Sequence, residues 1–302
     1  MISILVSTID EGIKRVKNVL LEPRDDVEYI VSHQYTSDRY REIPDELKRR
    51  DVTISQIKGK GVSRSRNNAI KHASGEIGLF ADDDVTYRNS YIDIVKETFR
   101  ENTDIDIALF KIKTRTGEPE YKEYPEARLE LKKTSFSISS VEIGFNIEKI
   151  KNAGLYFDER FGAGRELIVG AEETVFIEDC LKHGLKVLYV PEYIVEHPFL
   201  STIKSVPKFD KRRNWVTGAY DCRTNGSIAL FKAFGGTLKI LPTLLRHGIN
   251  PFSYLYHRLS AALYILRTNK KYMAVEDDSV IYPSKRSRPT SRSEHKVSAL
   301  DV

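Results

Sequence analysis

Cysteine is scarce in this chain, and the N-terminus has no long apolar run. Only Cys180 and Cys222 occur among the 302 residues, too few for a disulfide framework and without the spacing of a zinc or redox site. We expect both thiols to be reduced packing residues. The segment Met1–Thr8 has no basic region, and its apolar run is too short for a signal peptide. These features predict a cytoplasmic protein.

Acidic residues are scarce in one part of the chain. The formal net charge is +5, yet residues 201–271 contain thirteen Lys or Arg against only Asp210 and Asp221. This segment therefore carries +11 and the remainder −6. A basic stretch of this kind can contact anionic lipid, nucleic acid or only water. With 40% hydrophobic and 30% charged residues, the composition is otherwise that of an ordinary globular protein.

Strands and helices are predicted to alternate along most of the chain. Short apolar, β-branched runs indicate strands, and the amphipathic stretches between them indicate helices. This alternation predicts an α/β fold with a mostly parallel sheet, in which ligands bind at the carboxyl ends of the strands. The predicted strands are 2–7, 27–32, 52–57, 77–81, 106–113 and 186–190, and the predicted helices are 11–21, 44–50, 61–73, 89–102 and 170–183.

Three regions are predicted from the changes in composition. Residues 1–215 form the α/β domain, and residues 216–275, which are apolar and basic with glycine and proline interruptions, form a helical appendage. Residues 276–302 are rich in Ser, Arg, Lys and Pro and are expected to be disordered. No apolar run in the appendage reaches the ~20 residues of a membrane-spanning helix.

Three consecutive aspartates, Asp82, Asp83 and Asp84, follow the predicted strand 77–81. Their mutual repulsion is costly unless solvent or a cation spreads the charge. Carboxylate oxygens suit Mg²⁺ or Mn²⁺, ions that commonly bridge protein carboxylates to a substrate diphosphate. The triplet therefore indicates metal-assisted departure of a phosphate leaving group. The alternative is an acidic cap on the helix that starts near Asn89.

Short motifs in a fixed order give the chain a resemblance to a known family. Over residues 1–200 the sequence resembles the family 2 glycosyltransferases. The matching segments are Ile4–Thr8 for the opening strand, Gly61–Asn67 for the G-x-x-x-A-R-N element, Phe80–Asp84 for the D-x-D strand end, Phe157–Phe161 for F-D-E-x-F and Gly170–Thr174 for G-x-E-D-T. The resemblance implies a GT-A (nucleotide-diphospho-sugar transferase) fold, with a mostly parallel central sheet flanked by helices, followed here by the helical appendage.

The resemblance also implies a donor site. A guanidinium suits a diphosphate, so Arg66 and Arg64 would face that group, and Asp83 would hold the ribose or the sugar. Thr8 and Asp10 would lie over the base and ribose. The bland alternatives are solvated helix charges for the arginines, and a strand end and a helix cap for Thr8 and Asp10. The implied donor-binding residues are Thr8, Asp10, Asp38, Arg64, Arg66, Asp82 and Asp83.

Metal ligands and a catalytic base follow from the same resemblance. Asp84 would be the direct metal ligand, with Asp82 and His197 completing the site, although His197 could instead be a structural hydrogen-bonding residue. Glu173 stands where the family has its catalytic aspartate and would take the proton of the acceptor hydroxyl. Because glutamate is longer by one methylene, Glu172 is the alternative base. Without a catalytic role, both would be acids that complement a helix dipole.

The chain departs from the family at the end of the second strand. The family has D-D-G-S-x-D, whereas residues 32–38 here are Ser-His-Gln-Tyr-Thr-Ser-Asp. Asp38 is retained, but His33 stands near the position of the aspartate that reads the nucleotide base. The nucleotide therefore stays open between UDP, GDP and dTDP, with UDP-sugars as the default.

The sequence as a whole predicts an inverting, metal-dependent glycosyltransferase that uses Mn²⁺ or Mg²⁺ in glycan or surface-polysaccharide assembly. The acceptor would be a glycan or a lipid-linked hydroxyl, with membrane contact through residues 228–272 at the inner face of the plasma membrane. One alternative, a sugar-nucleotide pyrophosphorylase, lacks its glycine-rich loop at Ile9–Gly12. The other alternative is a basic nucleic-acid-binding module. The sequence has no helix-turn-helix, zinc or RNP pattern that would support it, and we expect no nucleic-acid partner.

Overall fold

The structure, a computed structural model, describes residues 1–199, 207–268 and 280–282. Within these residues, nine strands form one sheet. In chain order they are β1 Ile2–Ile9, β2 Val27–Tyr35, β3 Val52–Lys58, β4 Ile77–Asp82, β5 Ile107–Lys113, β6 Leu129–Leu131, β7 Ile143–Asn146, β8 Val187–Glu196 and β9 Val280–Tyr282. Their order across the sheet is β6-β8-β5-β7-β4-β1-β2-β3-β9.

Helices accompany the sheet along the described part of the chain. They are α1 Val62–His72, α2 Asn89–Glu101, α3 Ile147–Asn152, α4 Glu172–Lys182, α5 Lys211–Asn225, α6 Ile228–Lys239, α7 Leu241–Arg246 and α8 Pro251–Arg267. The predicted helices 61–73, 89–102 and 170–183 correspond to α1, α2 and α4 and are confirmed.

The centre of the sheet is parallel. β1 pairs in parallel with β2 and β4, and β2 pairs in parallel with β3. β7 is antiparallel to both β4 and β5, and β8 is parallel to β5. The predicted α/β architecture, a mostly parallel central sheet flanked by helices with a C-terminal helical appendage, is confirmed.

Alternation along β1 divides the core into two layers. Ile4 and Val6 belong to one buried cluster, whereas Leu5 packs with Ile30 and Phe80 in the other. Successive strand residues point to opposite faces of a sheet. Because apolar layers cover both faces, a central strand needs apolar residues on both of its sides, which explains the consecutive apolar residues Ile4, Leu5 and Val6 in β1.

Two predicted helices are wrong. In place of the predicted helix 11–21 the chain forms two 3-10 turns, Asp10–Lys14 and Val16–Asn18. The predicted helix 44–50 is one 3-10 turn at Asp45–Leu47. The apolar residues of the first segment recur at 13, 16 and 19, a spacing of three that suits a 3-10 period as well as an α-helix.

Strand β8 runs past Pro191, where the sequence predicted its end. The parallel register with β5 shifts between Leu109 and Lys111, so that Leu109 pairs with Tyr189 and Lys111 with Tyr193. Proline has no N–H to give to a ladder and is tolerated at such an irregularity. The extension carries the chain to His197, beside the cleft described below.

Buried ion pairs join the appendage to the sheet domain. The fully buried Asp158 accepts hydrogen bonds from Arg160 and from Arg223 of α5, and Arg223 also binds Asp179 of α4 at 2.5 Å. Helix α5 spans the predicted boundary at residue 215. Both cysteines are free and buried, as predicted.

The prediction of a disordered tail can be compared with the structure only over a few residues. Most of the tail 276–302 lies outside the described residues, and 280–282 form the edge strand β9, antiparallel to β3. Among the described residues, no helix combines the length and the apolar character needed to cross a membrane.

Candidate active site

A cleft of about 660 Å³ opens at the carboxyl ends of β1 and β4. Ser7 and Thr8 of β1 and Asp82 of β4 line it from the sheet. One wall is residues 137–141, and another is residues 169–174, which lead into α4. The cleft therefore lies where the ends of parallel strands meet, as ligand sites in α/β sheets do.

Two carboxylates and one imidazole converge in the cleft. Ligand atoms of Asp82, Asp84 and His197 all lie within 4.8 Å of one another. They meet because Thr86 and Glu196 form a two-way backbone bridge, with N–O distances of 3.0 and 2.9 Å. This bridge ties the turn after β4 to the end of β8 and brings His197 beside the aspartates.

The hydrogen bond of His197 leaves one ring nitrogen facing the aspartates. Its Nδ1 lies 2.6 Å from the carbonyl oxygen of Pro198, and its Nε2 lies 3.6 Å from Asp84 Oδ1. A carbonyl oxygen only accepts, so Nδ1 carries the proton in the neutral ring and Nε2 keeps its lone pair. Tyr121 packs edge-on against the imidazole. The group can thus offer a nitrogen and carboxylate oxygens to a divalent cation.

Asp83 faces another part of the cleft. Thr8 donates to its Oδ2 at 2.5 Å, and Arg15 donates to its Oδ1 at 2.7 and 3.1 Å. Burial raises the pKa of Asp83, and these hydrogen bonds oppose that rise. Gly12 makes room for the pair, since a Cβ there would lie 2.1 Å from Asp83 Oδ2.

Arg66 of α1 is only 3% exposed and lies among carboxylates. Its Nη1 donates to Glu172 at 3.3 Å and to Glu173 at 3.2 Å, while Nη2 lies 3.5 Å from Asp82 and donates to Ser140 at 2.7 Å. The side chain lines the cleft, and its guanidinium joins three acidic side chains. Its direct role in this geometry is to hold those carboxylates together.

The two glutamates differ in their access to the cleft. Both begin α4, and the preceding Ala171 has the left-handed φ of 70°, a conformation that costs a non-glycine residue energy. The side chain of Glu173 is 16% exposed and that of Glu172 is 7% exposed. Burial, followed by the charge of Glu172, raises the pKa of Glu173 to about 8. Glu173 is therefore the more accessible carboxylate, and its pKa lies near the range where a base can work.

Three of the expected donor residues lie outside the cleft lining. Asp10 turns toward Thr36 and accepts from its N–H at 2.7 Å. The side chain of Asp38 is 79% exposed, and Arg64 donates to the carbonyl of Lys58 at 2.9 Å. Among the described residues, these side chains support surface turns beside the cleft.

His33, near the position where the resemblance implies a base-reading aspartate, is fully buried. It lies 3.1 Å from the carbonyl oxygen of Asp10 and 3.1 Å from Gln56, and burial lowers its pKa. The next residue, Gln34, lines the cleft instead. Its amide is therefore the polar group that this strand end offers to a ligand.

Sequence reasoning missed several lining residues, among them Arg15, Tyr121 and Ser140. Arg15 is one of several basic residues in its segment, and only its contact with Asp83 distinguishes it. Glu142 holds the wall formed by residues 137–141: it accepts a hydrogen bond from the N–H of Ser139 and pairs with Lys122 at 2.5 Å. The spacing of these residues along the sequence does not predict their contacts, because long loops separate the residues that meet in the cleft.

The sequence was compared with protein-family models and with curated protein sequences. Residues 6–153 match the family model described as Glycosyl transferase family 2. No curated protein sequence matches the chain.

Comparison with solved structures finds similarity to S. aureus TarS. S. aureus TarS 1–349 aligns over 91% of this chain and 94% of its own, at 14% identity and a TM-score of 0.50. S. aureus TarS 1–349 in complex with UDP-GlcNAc aligns over 74% and 66%, at 18% identity and 0.49. A longer S. aureus TarS structure aligns over 76% and 41%, at 17% identity and 0.48. The chain thus spans less than half of the longer structure, and the likeness supports the fold alone.

Proposed function

The chain belongs to glycosyl transferase family 2 through residues 6–153, and on that premise we propose that it is an inverting, metal-dependent enzyme using a UDP-sugar donor. Transfer from a nucleotide sugar is the activity of the family. The observation that carries the finer proposal is the convergence of Asp82, Asp84 and His197 within 4.8 Å, in the cleft that Glu173 also lines.

The residues present fit Mn²⁺ or Mg²⁺. Carboxylate oxygens suit both ions, and imidazole nitrogen suits transition metals, so the mixed set favours Mn²⁺. Asp82, Asp84 and Nε2 of His197 would hold the ion. When bound, such an ion supplies positive charge beside the diphosphate that leaves in the reaction.

Glu173 is proposed as the general base. The acceptor oxygen forms a bond to the anomeric carbon while the bond from that carbon to the diphosphate oxygen breaks, and Glu173 takes the acceptor proton. Arg66 holds the Glu173 carboxylate at 3.2 Å and so positions it. Glu172 is more enclosed and supports the same guanidinium at 3.3 Å.

The donor is proposed to lie along Thr8, Asp83 and Arg15. The side chain of Arg15 is 56% exposed and already oriented by Asp83, so its remaining N–H groups are placed for an anionic ligand. Structures of S. aureus TarS were obtained with UDP-GlcNAc and with UDP, which supports UDP as the nucleotide. Asp10, Asp38 and Arg64 would contact the donor only if their side chains moved from these positions.

The acceptor is proposed to be a hydroxyl of a glycan or a lipid-linked sugar in surface-polysaccharide assembly. Such an acceptor places the enzyme at the inner face of the plasma membrane, with contact through residues 228–272. The excess of basic and apolar residues in that segment supports this setting.

Thermal-shift binding tests the donor site. UDP, GDP and dTDP, each with and without Mn²⁺, would be added to the wild type, to Asp84→Asn and to the control Asp45→Asn, whose side chain is 91% exposed and remote from the cleft. We expect stabilisation by UDP that needs Mn²⁺, persists in the control and is lost in Asp84→Asn. A response to no diphosphate would overturn the proposal.

A further inference from the structure

Helix α6 carries an apolar stripe that faces away from the rest of the protein. Phe231, Phe234 and Leu238 are 79%, 52% and 69% exposed. Ala229 and Ala233 are buried on a largely opposite side of the helix. Large apolar side chains gathered in this way mark a contact surface, because single soluble chains rarely leave such patches uncovered.

Helix α8 repeats the arrangement. Phe252 and Tyr256 are 83% and 66% exposed, and Leu263 and Leu266 continue the same stripe at 39% and 40%. Ala261 is buried on the other side of the helix. The outer stripes, defined as Phe231, Phe234 and Leu238 of α6 with Phe252, Tyr256, Leu263 and Leu266 of α8, are thus two exposed apolar strips on neighbouring helices.

The charged residues of α6, α7 and α8 are all basic. No acidic residue occurs between Asp221 and Glu276. Lys232 and Lys239 flank the stripe of α6, Arg246 is exposed on α7, and Arg267 is exposed at the end of α8. A partner that covers the stripes therefore has to tolerate or supply negative charge.

We propose that the outer stripes dock on the surface of an anionic lipid bilayer. The aromatic and aliphatic side chains would enter the boundary between headgroups and acyl chains, while the flanking cations contact lipid phosphates. A second copy of the chain fits this surface less well, because it would bring the same cations together. This inference specifies the membrane contact proposed above.

Ion pairs and hydrogen bonds fix the appendage relative to the domain that contains the cleft. Arg223 of α5 joins Asp158, in the loop before α4, to Asp179 within α4. Arg160 also reaches the backbone carbonyl of Ile265 at 3.2 Å. A bilayer bound by α6 and α8 would therefore hold the cleft at a defined angle to a lipid-linked acceptor. This orientation rests on the proposed function, whereas bilayer binding itself does not.

Vesicle co-sedimentation of the full chain tests the docking. The vesicles would be pure phosphatidylcholine, or phosphatidylcholine mixed with phosphatidylglycerol. We expect binding to the anionic vesicles only, and a loss of roughly tenfold or more in the triple variant Phe231→Gln, Phe234→Gln, Leu238→Gln. The matched control is Leu129→Gln on β6, which is 41% exposed and should bind like the wild type. All variants keep the basic residues beyond 268, so charge alone cannot explain the loss.

The outcomes separate the two proposals. Equal vesicle binding by the wild type and the triple variant, or no binding by either while UDP still stabilises the protein, would refute bilayer docking alone. Vesicle binding without any nucleotide response would refute the proposed function alone. A wild-type dimer in light scattering that the triple variant converts to monomer, without vesicle binding, would assign the stripes to a second copy and overturn the inference.

Discussion

The cleft and the appendage place their side chains in opposite ways. In the cleft, charged groups are buried: Arg66 is 3% exposed and Glu172 is 5% exposed. In the appendage, large apolar groups are exposed: Phe231 is 79% exposed and Phe252 is 83% exposed. Burying charge and exposing apolar surface both cost free energy in an isolated soluble protein. For each region we propose a ligand, an ionic one in the cleft and an apolar one at the appendage.

The largest effect is expected in the cleft at Glu173. Glu173→Gln keeps the shape but cannot accept the proton, so turnover of the UDP-sugar should fall by about 10²–10⁴-fold, as for loss of a general base. UDP binding measured by thermal shift should persist. Glu172→Gln is the comparison variant, and a larger loss of turnover there would make Glu172 the base.

The pH dependence of kcat/KM tests the same role of Glu173. The pKa of Glu173 is raised to about 8, so the carboxyl is protonated below that pH and cannot act as a base. Wild-type kcat/KM should therefore fall as the pH drops through about 8, and Glu173→Gln should lose that limb. A flat wild-type profile across this range would contradict the assignment.

A smaller effect, on stability, is expected at Arg66. Arg66→Met leaves the buried Glu172 carboxylate without its cation, which should lower the free energy of unfolding by about 3–5 kcal/mol. Arg64→Met, on the same helix two residues before Arg66, removes a half-buried arginine that pairs with no carboxylate at the cleft and should cost about 0.5 kcal/mol or less. Chemical denaturation measures both. Equal stabilities of the two variants would show that the guanidinium does not hold the cleft together.

The smallest effect is expected in the appendage. Phe231→Gln removes an exposed ring from α6, so the free energy of unfolding should change by only about 0.5 kcal/mol. Chemical denaturation of Phe231→Gln and of Arg66→Met compares the effect on stability in the appendage with that in the cleft. A loss of several kcal/mol would mean that the ring packs inside the protein, and the stripe would then be part of its core.

Patterns local in sequence predicted much of this molecule. An apolar run that ends in Asp82–Asp84 indicates a strand end with a ligand site, because both features depend on neighbouring residues. Contacts between distant segments were not predictable: Arg66 meets Glu172 across 106 positions, and Arg15 meets Asp83 across 68. The early helix was wrong because its apolar spacing of three suits two kinds of helix. The site residues stay predictions, with their positions now specified.

Calorimetric titration of UDP, with and without Mn²⁺, tests the central claim most directly. The wild type should bind UDP tightly only when Mn²⁺ is present, and His197→Gln should lose most of that Mn²⁺ dependence because Nε2 is no longer available. UDP binding that is equally tight without Mn²⁺, or unchanged in His197→Gln, would contradict the proposal that Asp82, Asp84 and His197 form the metal site of a sugar-transferring cleft.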